Sequence, residues 1–147
     1  MAGRPAAPSI SVLLVEDDPG DALMISEAFR QCETPSQLHL VSDGVQAMNL
    51  LRRAHGFTEA PRPALIILDL KLPRRDGLEV LTELKNDDDL RTIPAVVLSS
   101  SRTRQDIQRC YWLHANAYVI KPADFDGFAE VIRQIDGCFL RLIDLST

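Results

Sequence analysis

The chain has 147 residues, 46 % apolar and 25 % charged, with a net charge of −5. That length allows one domain with a proper core and not two, and the acidic balance argues against nonspecific nucleic-acid binding. No apolar stretch reaches the length of a membrane span, and residues 1–9, with Gly3, Pro5 and Pro8, are expected to be a disordered lead rather than a signal peptide.

A first strand is expected at about Ser11–Val15. Pro19-Gly20-Asp21 opens a helix with Ala22, Ile25, Ala28 and Phe29 as its apolar positions, and Thr34-Pro35-Ser36 marks its end. The alternation in Gln37–Val41 predicts a strand at an edge of the sheet. Ser42-Asp43-Gly44 starts a second helix carrying Val45, Met48 and Leu51, and a loop from His55 to Pro63 leads to a third strand at Ala64–Leu68. The turn Leu72-Pro73-Arg74-Arg75-Asp76-Gly77 precedes a third helix with Leu78, Leu81 and Leu84. The fourth strand is Ala95–Leu98, and the helix after it is expected to put Ile107, Cys110, Tyr111 and His114 on one face. The fifth strand is Ala117–Ile120. The last helix keeps its period through Phe128, Val131, Ile132, Ile135, Phe139 and Leu142. Five strands alternating with five helices predict an α/β doubly wound domain over residues 10–136. The cysteines Cys32, Cys110 and Cys138 are odd in number and lack metal-site spacing, so they read as reduced thiols of a cytoplasmic protein.

Four strand ends carry the chemistry. Leu13-Leu14-Val15 runs into Glu16-Asp17-Asp18, and Leu65-Ile66-Ile67-Leu68 into Asp69. Ala95-Val96-Val97-Leu98 runs into Ser99-Ser100-Ser101, and Tyr118-Val119-Ile120 into Lys121-Pro122. These unbroken apolar runs are those of strands buried on both faces of a parallel sheet. Open parallel sheets bind ligands outside the carboxyl ends of their strands. Carboxylates, a hydroxyl and an ammonium are therefore delivered to one sheet edge, a set able to hold a divalent cation and a phosphoryl group. Each cluster alone is an ordinary solvated loop feature; it is the coincidence of separate strand ends that speaks for a site. Asp18 reads as a loop or helix-start residue, and Ser101 as a capping hydroxyl.

In these four segments the chain resembles the receiver domain of two-component response regulators, over about Ile10 to Ile135. The segments are Leu13-Leu14-Val15-Glu16-Asp17-Asp18-Pro19, the run from Ile66 through Asp69 and Pro73 to Gly77, Val96-Val97-Leu98-Ser99-Ser100, and Tyr118 through Lys121-Pro122. More narrowly, Val15 to Asp21, Leu68 to Gly77 and the apolar C-terminal tail look like the stand-alone regulators that serve phytochrome-type histidine kinases of bacteria and cyanobacteria.

The resemblance implies a flavodoxin-like, five-stranded parallel sheet in the order 2-1-3-4-5 with five helices. It implies a signalling switch that takes a phosphoryl group from a histidine kinase and catalyses only its own phosphotransfer and dephosphorylation. Asp69 is then the phosphoacceptor. A carboxylate is already ionised at neutral pH; what it needs is relief from repulsion by incoming phosphoryl oxygens, which Mg2+ supplies. Asp17 is expected as a direct ligand, Glu16 directly or through water, and Asp69 completes the side chains. The resemblance adds the backbone carbonyl of Lys71. Lys121 would pair with a phosphoryl oxygen as a point charge, and the Ser99 hydroxyl would donate to another. A cis bond before Pro122 is also implied, as is a Tyr118 that turns inward when the Ser99 hydroxyl moves toward the phosphoryl group.

Three other readings compete. A haloacid dehalogenase-type aspartyl-phosphate phosphatase also uses a strand-end Asp and magnesium, but it wants a second Asp two residues on, where this chain has Lys71. A phosphorylation-independent scaffold would not need every one of these residue types. A flavodoxin-like cofactor binder lacks a phosphate-cradling loop after the first strand, where Glu16-Asp17-Asp18 would repel phosphate. The receiver pattern ends near Ile135, yet apolar residues continue through Phe139, Leu140, Leu142, Ile143 and Leu145. Phe139, Leu142 and Ile143 are expected to extend the core-facing stripe, with Leu140 off it. Residues 137–147 should extend the last helix, folding back on the domain or building a homodimer with the fourth helix, fifth strand and fifth helix.

Overall fold

The structure is a computed structural model that describes residues 9–145. The expected disordered lead, apart from Ser9, and residues 146–147 of the tail lie outside the described residues. In chain order the elements are β1 (Ile10–Val15), α1 (Pro19–Arg30), β2 (Ser36–Val41), α2 (Gly44–Leu51), β3 (Leu65–Leu68) and α3 (Gly77–Lys85). They continue with β4 (Ala95–Ser99), α4 (Arg104–Trp112), β5 (Ala117–Ile120), α5 (Phe125–Ile135), a π-helical turn (Asp136–Leu140) and α6 (Arg141–Leu145). All strands run parallel, in the order β2-β1-β3-β4-β5.

Successive strand residues point to opposite faces, and each face has its own core. Val12 and Leu14, Leu65 and Ile67, and Val96 and Leu98 pack with Ile25 and Phe29 of α1 and Phe128 and Ile132 of α5. Leu13 and Val15, Ile66 and Leu68, and Val97 pack with Met48 of α2, Leu81 and Leu84 of α3 and Cys110 of α4. Coverage of both faces is why these runs are apolar without alternation. The alternating β2 lies at one edge, as its pattern predicts. β5 does not match the expectation of burial on both faces, since its four residues are only half-buried. It is the other edge, hydrogen-bonded to β4 alone.

The helix starts are set by side-chain caps. Asp18 accepts from the Gly20 and Asp21 N–H groups, Asp43 from Gln46, Asp76 from Glu79, Thr103 from Asp106 and Asp124 from Gly127. Each cap satisfies a donor that has no partner inside its helix, worth about 1 kcal/mol. The caps thereby fix the loops between strand ends and helices. α4 ends sooner than its apolar pattern suggests. His114 has φ 64°, a left-handed residue that closes the turn after the helix. The expected face of Ile107, Cys110, Tyr111 and His114 reduces to buried Cys110 and half-buried Ile107, with Tyr111, Trp112 and His114 exposed.

The tail also departs from expectation. In a regular α-helix the core position after Ile135 falls at Phe139, four residues on. Here the Arg141 N–H reaches back five residues to the Asp136 carbonyl, the bonding pattern of a π turn. The turn inserts one residue into the period, so the core position moves to Leu140. Leu140 is fully buried, Phe139 half-buried, and Leu142 is 59 % exposed. The expected roles of Leu140 and Leu142 are therefore exchanged.

Candidate functional site

The sheet's own ladder continues past the strand ends and sets the site. The Glu16 N–H donates to the Val41 carbonyl at 3.0 Å, the Asp69 N–H to Val15 at 3.1 Å and the Lys121 N–H to Ser99 at 2.8 Å. Glu16, Asp17 and Asp69 each offer a carboxylate oxygen, all within 4.8 Å of one another. Glu16 and Asp69 are buried and Asp17 is exposed. The Lys121 Nζ stands 2.8 Å from Glu16 Oε2, 2.8 Å from Asp69 Oδ2 and 2.9 Å from Asp21 Oδ2. The sequence pattern identified the first two partners. Asp21 was visible only as a helix-start residue, because nothing in the chain signals its approach to a lysine 100 residues away.

Three carboxylates thus pair with one ammonium, and Asp17 lies beside two of them, leaving negative charge uncompensated. Burial pushes Glu16 up to about 7, against hydrogen bonds from Lys121 and the Asp18 N–H that pull the other way. Burial also opposes the charge on Lys121, but its hydrogen bonds to Asp21, Asp69 and Glu16 outweigh that and hold it above the usual lysine value. Hard oxygen donors around a buried charge deficit, with one member open to solvent, suit Mg2+, which binds through one or two carboxylates and keeps several waters. The residues present fit that ion. Lys71 has an exposed side chain, and its N–H donates to Asp69 Oδ1 at 3.4 Å, so its backbone lies against the same carboxylate.

Behind Asp69 the wall is backbone. The Gly77 N–H donates to the Leu70 carbonyl at 2.7 Å. A Cβ on Gly77 would stand 2.1 Å from the Asp69 carbonyl oxygen and 2.6 Å from the Leu70 Cα. Contacts that short between a Cβ and backbone do not exist without displacing one of them, so only glycine fits.

On the other side, Ser99 is fully buried and its Oγ accepts from the Ser101 N–H at 3.2 Å. The Tyr118 hydroxyl donates to the Ser101 carbonyl at 2.7 Å, and its ring packs against the core under α2 to α4. The Ser101 Oγ donates to Asp106 Oδ2, at 2.5 Å, in the first turn of α4. Ser101 is therefore more than a capping hydroxyl: it ties Ser99, Tyr118 and α4 together. The peptide bond before Pro122 is trans, not cis as the resemblance implied. Trans is the lower form by about 0.5–1 kcal/mol, and this backbone already accommodates the Lys121 N–H bond to Ser99.

Among the described residues no helix is long and apolar enough to cross a membrane. The family profile for the response regulator receiver domain matches residues 12–133. The response regulator Rcp1 of Synechocystis sp. is 36 % identical over 134 residues, covering 91 % of each chain. The crystal structure of the phosphorylated cyanobacterial phytochrome response regulator RcpA is 40 % identical, with a TM-score of 0.87 over 90 % of this chain and 95 % of that one. The Mn2+-bound form of Rcp1 is 36 % identical, with a TM-score of 0.85 over 90 % and 95 % of the two chains.

Proposed function

Because the chain belongs to the response regulator receiver domain family, we propose that it is the phosphorylation switch of a phytochrome-type histidine kinase, with Asp69 as phosphoacceptor. The observation that carries this reading is a buried Asp69 at the end of β3, 2.8 Å from the Lys121 ammonium and within the Glu16–Asp17–Asp69 cluster. The likeness to the cyanobacterial phytochrome response regulator RcpA supports the phytochrome pairing.

In the transfer, an Asp69 carboxylate oxygen attacks phosphorus, the bond from phosphorus to the kinase histidine breaks, and the imidazole keeps its electron pair. Lys121 offers its charge to a phosphoryl oxygen, and Ser99 donates its hydroxyl to another. Glu16, Asp17, Asp69 and the Lys71 carbonyl would hold Mg2+, whose charge, when it is bound, would offset the repulsion between the carboxylate and the incoming phosphoryl oxygens. The test is intact-mass spectrometry after incubation with a phosphorylated phytochrome-type kinase or with acetyl phosphate. One added phosphoryl group from both is expected. No uptake from either overturns the phosphoacceptor reading; uptake from acetyl phosphate alone overturns the kinase pairing.

Mg2+ should also stabilise the fold, because it relieves repulsion among the three clustered carboxylates. At a hundredfold excess over its dissociation constant the gain is about 2.7 kcal/mol for one site present only in the folded state. Thermal melts with and without Mg2+ should show this shift in the wild type and a blunted one in Asp17→Asn. Equal shifts in the two would locate the ion elsewhere.

Ser99 and Tyr118 make the switch on this reading. A phosphoryl oxygen that draws the Ser99 hydroxyl changes the bond to the Ser101 N–H, and through Ser101 the position of α4. Ser99→Ala should still be phosphorylated yet lose the response. Amide exchange with and without beryllofluoride should change over residues 104–118 in the wild type and not in the variant; an unaltered wild-type segment would refute the coupling. Residues 10–136 then act as the receiver and the tail beyond as a dimerisation element. The open edge of β5, exposed Tyr111 and Trp112 on α4, and exposed Leu142 support a homodimer through α4, β5 and the last helix.

A further inference from the structure

Lys121 has three N–H groups, and each goes to a different carboxylate. Glu16 and Asp69 also belong to the carboxylate cluster, and Asp21 does not. Asp21 stands on the first turn of α1, where free backbone N–H groups favour negative charge. Its side chain is only 21 % exposed. It is a fixed anion set against the ammonium that an incoming phosphoryl group must use.

We propose that Asp21 is a positioning residue that occupies Lys121 and repels small phosphoryl dianions, so that the site favours its kinase over free phosphodonors. The inference rests on the phosphoacceptor reading of Asp69. With acetyl phosphate, an Asp69 oxygen bonds to phosphorus, the bridging oxygen leaves with acetate, and total charge is conserved without a proton. The donor brings two negative charges to a lysine already shared three ways. A phosphoryl oxygen hydrogen-bonded to the Lys121 ammonium would lie roughly 5 Å from the Asp21 oxygen on the same Nζ. At an effective dielectric between 20 and 80, reduced by salt, that repulsion corresponds to roughly three- to thirtyfold in affinity. A kinase offsets it with the remote binding energy of a protein interface, which a small donor lacks.

The experiment measures phosphorylation rate against acetyl phosphate concentration for the full chain, by intact mass, in wild type, Asp21→Asn, Asp21→Ser and Asp21→Glu. The half-saturating concentration should fall roughly three- to thirtyfold in the Asn and Ser variants. The maximal rate should stay within about twofold. Asp21→Glu should restore the wild-type value. Two uncharged variants guard against one that misfolds, and melting curves identify it. An unchanged or raised half-saturating concentration in the folded uncharged variants overturns the inference while leaving Asp69 as phosphoacceptor. A wild type that takes up no phosphoryl group removes that reading, and this one with it.

Discussion

Asp69→Asn is expected to give a folded protein that takes up no phosphoryl group from kinase or acetyl phosphate. The amide keeps the shape of the carboxylate but has neither its charge nor its nucleophilic oxygen. Loss of uptake should be complete, because Glu16 is engaged by Lys121 and by the Asp18 N–H, and Asp17 is exposed and is not one of the carboxylates paired with Lys121. The fold should survive. The substitution removes one of three carboxylates from Lys121 but also relieves repulsion among Glu16, Asp17 and Asp69. Melting curves and intact mass on the same sample separate the two effects. A variant that labels as well as the wild type would put the phosphoacceptor elsewhere.

The second large effect is in the tail. Leu140→Ala should cost about 2–5 kcal/mol, the range for truncating a buried leucine, because Leu140 is fully buried. Leu142→Ala should change monomer stability by less than about 0.5 kcal/mol, because Leu142 is 59 % exposed. A regular helix through this segment predicts the opposite ranking, so urea melts of the two variants decide between them. The result also bears on the homodimer. A chain cut at Asp136 loses Leu140 from the core, so a change in its size would confound unfolding with dissociation. Leu142→Glu, followed by light scattering at micromolar concentration, is the cleaner test.

The contrast shows what the sequence carried. Strand ends were legible because each joins an unbroken apolar run to a chemical group, as Leu65–Leu68 does to Asp69. The parallel arrangement followed from the unbroken apolar runs and the sheet order from the family likeness, and both stand in the structure. The contacts of Asp21 and Ser101 were not legible. Both are polar residues beside helix starts, where capping is the ordinary explanation. Asp21 meets Lys121 beyond the end of β5, and Ser101 meets Tyr118 on β5 and Asp106 on α4; no periodicity records such meetings. The π turn was hidden for another reason. Gly137-Cys138 breaks no apolar stripe, and either Phe139 or Leu140 can serve as the next core residue.

That turn amounts to one surplus residue in an otherwise regular rod. Gly137 lies where an added Cβ would meet nothing within 4 Å, so the extra length is not demanded by crowding. Deleting Gly137 should let the backbone relax to a uniform α-helix and still bring the leucine now numbered 140 onto Ile135's row, four positions on. Everything beyond would keep its rotation about the axis relative to that leucine. In a comparison of tails between related chains, a single-residue gap here would therefore mark a change in helix winding and not a change in which surface the tail presents.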